Sequence, residues 1–319
     1  MEITTRLRER FCKDCNIPIN IFHEPYFTDR INLYDKFYDT VDKWNIFVEE
    51  LNKYSNEQDY FEHYNKVKDE AILTIKNSEA YQIFNDEDMN KCRIEHTNIS
   101  SKDIFKPSND GKMFISIDMR QANFSSLQYY GDTIFKSMFA GASTWEDFIG
   151  LFTDNEHIIN SKYIRQVVLG NCNPKRHITY EKYLMYQVLD FITQGDGYSI
   201  EDIVSFSNDE IVIDMKSHEC CLKLLKLRNI LDRVLYREFD IPLKVELFKL
   251  HKINETNGYY KEIYYDINEK EIEFKCLDNY MLPFVIRYFN GEEVTESDKV
   301  FYHEGLLAKF IEMPKFEIN

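Results

Sequence analysis

The hydrophobic period of this chain changes once, and that change limits the folds open to it. Up to about residue 84, apolar residues recur at steps of three and four. Over 28–54, Ile31, Tyr34, Phe37, Val41, Trp44, Phe47, Val48 and Leu51 fall on one helix face, with charge on the other. A second helix is expected over 57–84, carrying Phe61, Tyr64, Val67, Ala71 and Ile75, and the two read as an antiparallel pair. Polar residues from 98 to 112, punctuated by Pro107 and Gly111, end this pattern. Beyond them short β-runs alternate with helices, which points to an α+β fold with an antiparallel sheet backed by helices.

The stretch 112–119 (KMFISIDM) reads as a strand with Asp118 near its C-terminal end. Helical character follows over 120–152, interrupted by Gly131, Gly141 and Gly150, then over 156–170 and 178–193, with a turn at Gly195 and Gly197. Two β-runs, 202–206 and 211–215, flank the tetrapeptide Ser207-Asn208-Asp209-Glu210. Apolar runs around a tight polar turn predict a hairpin with Asp209 near its tip. A helix is expected over 217–238, with Leu222, Leu225, Ile230, Leu231 and Val234 inward, and a strand over 242–248. Residues 253–319 alternate Tyr, Ile and charge and read as β-rich. The chain thus divides into a helical region 1–107, a mixed region 108–252 and a β-rich extension 253–319. No internal repeat is visible.

With 319 residues, 44% apolar and 29% charged, and only 10 Gly and 7 Pro, the chain can bury a sizeable core and is not linker-rich. Its net charge of −16 runs against the basic balance usual for nucleic-acid binders. The charge is uneven, however. Residues 29–62 hold nine acids and four bases, whereas 157–186 hold five bases (Lys162, Arg165, Lys175, Arg176, Lys182) and one acid, Glu181. A small basic cleft in an acidic body is compatible with that pattern. The start of the chain lacks the apolar core of a secretory signal, and no run is long enough to span a membrane, so an intracellular, reducing setting is expected and no membrane partner. Cys12 and Cys15 form a lone C-x-x-C. Without a second pair at metal spacing they read as two packed or exposed thiols.

A strand-end Asp, a basic helix and a hairpin-tip Asp, in that order, suit nucleotide transfer. Two carboxylates from separate strands can hold divalent ions at the attacking and departing oxygens, and magnesium prefers oxygen ligands. Taken alone, a strand-end Asp is most often a turn former or an N-cap. The local sequences add to the spacing. Ser116-Ile117-Asp118-Met119-Arg120-Gln121-Ala122-Asn123-Phe124 resembles motif A of family A DNA polymerases, S-x-D-Y-S-Q-I-E-L. Ser207-Asn208-Asp209-Glu210-Ile211-Val212-Ile213-Asp214 resembles their motif C, V-H-D-E-L-V-F-E. Phe239-Asp240-Ile241-Pro242-Leu243-Lys244-Val245-Glu246 is similar to the family's closing strand, L-D-V-P-L-x-V-E.

The resemblance covers about 108–250 and implies a palm-like sheet with reduced fingers, preceded by a thumb-like helical region. It implies that Asp118 and Asp209 are the metal ligands for two Mg²⁺ or Mn²⁺ ions, with Glu210 an accessory acid. The helix 156–170 is similar to the motif B fingers helix, R-x-x-x-K-x-x-x-F-G, with Arg165 in the place of its phosphate-binding Lys and Leu169-Gly170 as F-G. Lys162, Lys175 and Arg176 are further phosphate candidates, and Gln121 and Asn123 fall near the incoming sugar. Each has a plainer reading: Lys162 and Arg165 as a solvated helix face, Lys175 and Arg176 as a surface turn, Gln121 and Asn123 as buried polar groups satisfied by backbone.

Departures from the family pattern include Asn123 for the ribose-excluding Glu, Met119 for Tyr, Asn208 for His, and Ser161 for the first motif B Arg. Most of the fingers is missing. The implied partners are a nucleoside triphosphate and a primer or primer–template, with a protein partner through 253–319 as a further option. Three functions stay open: a nucleotide-adding polymerase, an RNA-extending or template-independent terminal transferase, and a catalytically silent scaffold in a replication or transcription complex. The Asn/Lys/Ile/Tyr-rich, domain-reduced design leans towards a virus or mobile element.

Overall fold

The computed structural model describes residues 2–94, 99, 104–194, 198–216 and 220–318. Helices α1 (Thr5–Asp14), α2 (Tyr26–Tyr38), α3 (Thr40–Leu51), α4 (Glu57–Asn77) and α5 (Glu79–Asp86) precede strand β1 (Met113–Met119). Then follow α6 (Ala122–Thr133), α7 (Trp145–Gly150), α8 (Glu156–Ile159), α9 (Lys162–Gly170) and α10 (Pro174–Gln194). The β2 (Ile203–Phe206) and β3 (Glu210–Asp214) hairpin leads to α11 (Cys221–Glu238). Strands β4 (Leu243–Asn254), β5 (Tyr259–Tyr264) and β6 (Lys270–Lys275), helix α12 (Leu282–Asn290), and strands β7 (Val300–His303), β8 (Leu306–Lys309) and β9 (Glu317–Ile318) complete the chain.

The fold is α+β, with one antiparallel sheet of order β2-β3-β1-β4-β5-β6 and β9 added to β4. One face carries Ile115, Ile117, Val245 and Leu247, all buried in the main core with the helices. Each such side chain contributes roughly 1.5–3 kcal/mol by leaving water. The other face is covered at one end by Ile104, packed with Phe114, Val212, Phe248 and Ile263. At its opposite end, where Asp118 sits, it is open.

Three helices expected as continuous are broken by local polar chemistry inside an unbroken apolar period. The 28–54 helix divides at Asp39, whose backbone is left-handed (φ 49°), while Asp35 accepts the amide of Val41 at 2.8 Å. The 57–84 helix divides at Ser78, whose hydroxyl accepts from the Tyr81 amide at 3.1 Å. The 156–170 helix divides at Ser161, which caps α9 through the Ile164 amide at 3.0 Å. Such caps satisfy amides that a helix start otherwise leaves unpaired. In place of a simple pair, α2 packs on α3, α3 on α8, and α4 on α9.

Two further expectations change. On α11 the buried apolar residues are Leu224, Leu225, Leu231 and Leu235, whereas Leu222, Ile230 and Val234 are exposed. The boundary drawn at 252/253 falls inside β4, and β5 and β6 pair onto it, so the extension continues the sheet and also contains α12. The turn read at Gly195 and Gly197 lies outside the described residues.

The two ends of the chain are joined by a buried ion pair. Arg30 of α2 meets Asp298 at 3.0 Å, with both side chains almost fully excluded from solvent, and donates to the carbonyls of Ser297, Asp298 and Val300. Asp298 also accepts from Arg287 of α12 and from the amide and hydroxyl of Thr295. Arg30→Ala leaves that carboxylate buried without its main partner, a loss of about 3–5 kcal/mol. Urea unfolding monitored by circular dichroism reads it directly.

Candidate active site

Strand β1 lies between β3 and β4, and its register determines what stands beside Asp118. Opposite Asp118 are Glu210 on β3 and Lys244 on β4. Directly opposed residues in an antiparallel pair project to the same face, so these three side chains emerge together at the open end. Glu246 lies opposite Ser116 on that same face, two residues from Lys244, and the two form an ion pair.

The hairpin turn that carries Asp209 is set by Ser207. Its hydroxyl accepts from the Glu210 amide at 2.9 Å and donates to the Asp209 carboxylate at 3.0 Å. The Asp209 carbonyl accepts from the Met119 amide at 2.8 Å, which fastens the turn to the end of β1. Asp209 is exposed and Glu210 half-buried.

Asp118 and Glu210, but not Asp209, are among the residues that line a cleft of about 1150 Å³. Asp118, Glu210, Lys244, Glu246 and Lys261 line its sheet side. Opposite them stand the end of α1 and the segment after it, with Tyr163 and Gln166 of α9. Lys261 of β5 is the one deeply buried cation among them. Its ammonium lies 3.4 Å from Glu210 and 4.5 Å from the centre of the Phe248 ring, an arrangement in which the ring face also favours positive charge.

Burial raises the Asp118 carboxyl from its usual 3.8 to about 7, helped by the negative charges of Glu210, Asp209 and Glu246 and opposed by Lys261. Three carboxylates therefore act on Asp118, with a single deeply buried ammonium beside them. The donor chemistry, oxygen only, fits hard divalent cations. Among the described residues no three acidic, histidine or cysteine side chains stand as a ready-made metal cage. An ion held by two carboxylates would therefore complete its shell from water and substrate oxygens.

The remaining expected residues fall elsewhere. Helix α9 turns Tyr163 and Gln166 to the cleft, not Arg165. Burial lowers the Arg165 pKa, and Glu146 is its counter-charge. The same Glu146 accepts from Gln121 at 3.1 Å, so its contact is with Gln121 and it acts on Arg165 through charge alone. Asn123 is half-buried in the first turn of α6, and Lys162 and Lys175 are exposed. Arg176 is committed to structure, since it donates to the carbonyls of Phe84 and Glu87 at the end of α5. It is not among the residues that line the cleft. Cys12 and Cys15 line the cleft, and burial raises both thiols, Cys15 to about 12.

Lys244, Glu246 and Lys261 were not singled out by sequence reasoning. Glu246 is the last residue of the closing-strand motif, two positions from Lys244 and hence on one face. Nothing local marks Lys261, which stands between Tyr260 and Glu262. No protein-family model, curated protein or solved structure matches the chain.

A carboxyl raised by folding holds its proton more tightly folded than unfolded. Its contribution to stability is fully present below about pH 4 and is lost as pH rises through about 7. In chelator, Asp118→Asn should therefore flatten the stability profile across that window. The variant should gain roughly 2–4 kcal/mol on the parent between pH 4 and pH 8. Parallel urea-unfolding curves for the two proteins would show that Asp118 carries no such charge strain.

Proposed function

We propose that this chain is a reduced nucleotidyltransferase of the family A polymerase type, which adds nucleotides to a nucleic-acid 3′ end. The observation that supports it most is the pairing of Asp118 with Glu210, beside the Asp209 turn, on the floor of a cleft. Motif A and motif C resemblances lie 91 positions apart, counted from Asp118 to Asp209, yet their acidic residues meet at one strand end. Chance placement of two turn carboxylates would not require that.

Asp118 and Asp209 would hold two Mg²⁺ or Mn²⁺ ions, which when bound neutralise charge on the attacking and departing oxygens. The protein's own contribution is positioning. The β1–β3 register aligns the carboxylates, Ser207 holds the Asp209 turn, and Lys261 balances part of the acidic floor. Tyr163 and Gln166, on the facing wall, offer a stacking surface and an amide to a nucleotide. In the reaction the 3′-oxygen bonds to the α-phosphorus while the bond to pyrophosphate breaks, and chemistry of this kind depends mainly on alignment and charge.

A second reading, a catalytically silent palm serving as a scaffold, is favoured by one specific feature. Every lysine on the cleft already has a carboxylate partner: Lys13 with Glu9, Lys43 with Asp39, Lys244 with Glu246, Lys261 with Glu210 and Lys275 with Glu273. None is left free for a triphosphate.

Labelled primer, with and without template, incubated with Mg²⁺ or Mn²⁺ and either dNTPs or NTPs, separates the readings. Extension is expected, and Asp118→Ala and Asp209→Ala should each reduce it at least about a hundredfold. Extension that survives both substitutions sinks the assignment. A folded protein inactive under every condition selects the scaffold.

A further inference from the structure

Helix α11 lies against β4, and its outward side is unusual for this acidic chain. Lys223, Lys226, Arg233 and Arg237 have no ion-pair partner among the described residues, whereas every lysine of the cleft is paired. Leu222, Lys226, Ile230, Arg233 and Arg237 follow one another at steps of three and four, so they form a single stripe. Within it Leu222 is 46% exposed and Ile230 58%. Beside the stripe, a groove of about 310 Å³ separates the first half of α11 from the β5–β6 turn, with Leu222, Leu225, Tyr265 and Ile267 on its walls and Lys226 among its lining. Arg228 holds the two sides at a fixed spacing by donating to the carbonyls of Tyr264 and Tyr265, the latter at 3.0 Å. Asp266, also on the groove, is occupied by the amides of Asn268 and Glu269 in its own turn.

We propose that this groove and stripe form a docking site for an acidic peptide segment of a partner protein, one that anchors an apolar side chain between α11 and the β5–β6 turn. The apolar walls need an apolar group to cover them, and a nucleic-acid backbone would leave Leu222, Ile230 and Ile267 in water. A lipid surface is flat and does not fill a groove. Unpaired cations along the stripe supply attraction for the segment's carboxylates, and complementarity of this kind sets orientation and encounter rate. The inference is independent of nucleotide transfer, because the site uses the other side of the sheet.

The probe is a fluorescein-labelled peptide of about a dozen residues, rich in glutamate around a central Leu-Phe pair, titrated with the full chain by anisotropy. Saturable binding is expected. Leu222→Asp and Lys226→Glu should each weaken it about tenfold or more, as should replacing Leu-Phe by Ser-Ser. Asp118→Asn should leave it unchanged. Both surface variants keep the fold, which an unaltered thermal melt verifies. Three outcomes overturn the proposal: absence of peptide binding, binding indifferent to the Leu-Phe pair, or tighter binding of single-stranded oligonucleotide or phosphatidylserine vesicles that Lys226→Glu abolishes.

Discussion

Strand β1 is hydrogen-bonded along both edges, and the rest of the structure is arranged around that fact. Its pairing with β3 and β4 buries Ile115 and Ile117 on one face. The same register leaves Asp118, Glu210 and Lys244 side by side on the other. A slip of one residue would exchange the two sets, placing a carboxylate in the apolar core and an isoleucine in the cleft. The cost of burying an unpaired charge therefore protects the site geometry as firmly as the apolar core does.

Around that strand, opposing charges set the character of the cleft. Asp118 sits among three other carboxylates at a position that is itself partly withdrawn from water. Lys261, held between Glu210 and the Phe248 ring, offsets only part of the repulsion. Active sites commonly keep such unresolved charge because substrate or metal resolves it. Among the described residues Glu210 and Glu246 are matched with Lys261 and Lys244, whereas Asp118 and Asp209 have no such ion pair.

The walls of the cleft come from the extremes of the chain. Residues after α1 face the sheet, and the C-terminal segment is fastened to α2 through Arg30 and Asp298. Phe37 of α2 also contacts Phe274 and Phe289. A second buried network, centred on Asp14, accepts from Tyr64 and Ser161 and contacts His157, tying α1 to α4 and α9. Both networks place charge where only complete hydrogen bonding makes it tolerable, and both hold the walls in relation to the sheet.

Local sequence alone determined the β1 strand, the β2–β3 hairpin and the positions of Asp118 and Asp209 at their ends. Those features depend on alternation and turn chemistry within a few residues. The helix breaks at Ser78 and Ser161 were legible in principle as caps, but the apolar period runs straight through them, as it does through Asp39, and masks them. Tertiary structure alone decided which side chains face the cleft. Lys261 meets Glu210 across 51 positions, and of the α9 residues Tyr163 and Gln166, not Arg165, line the cleft. The cations of α11 are legible in the sequence, whereas the exposure of Leu222 and Ile230 among them follows from Leu224, Leu231 and Leu235 taking the core. Strand register and helix rotation are set by contacts between distant segments, and no local pattern encodes which of two faces those contacts will bury.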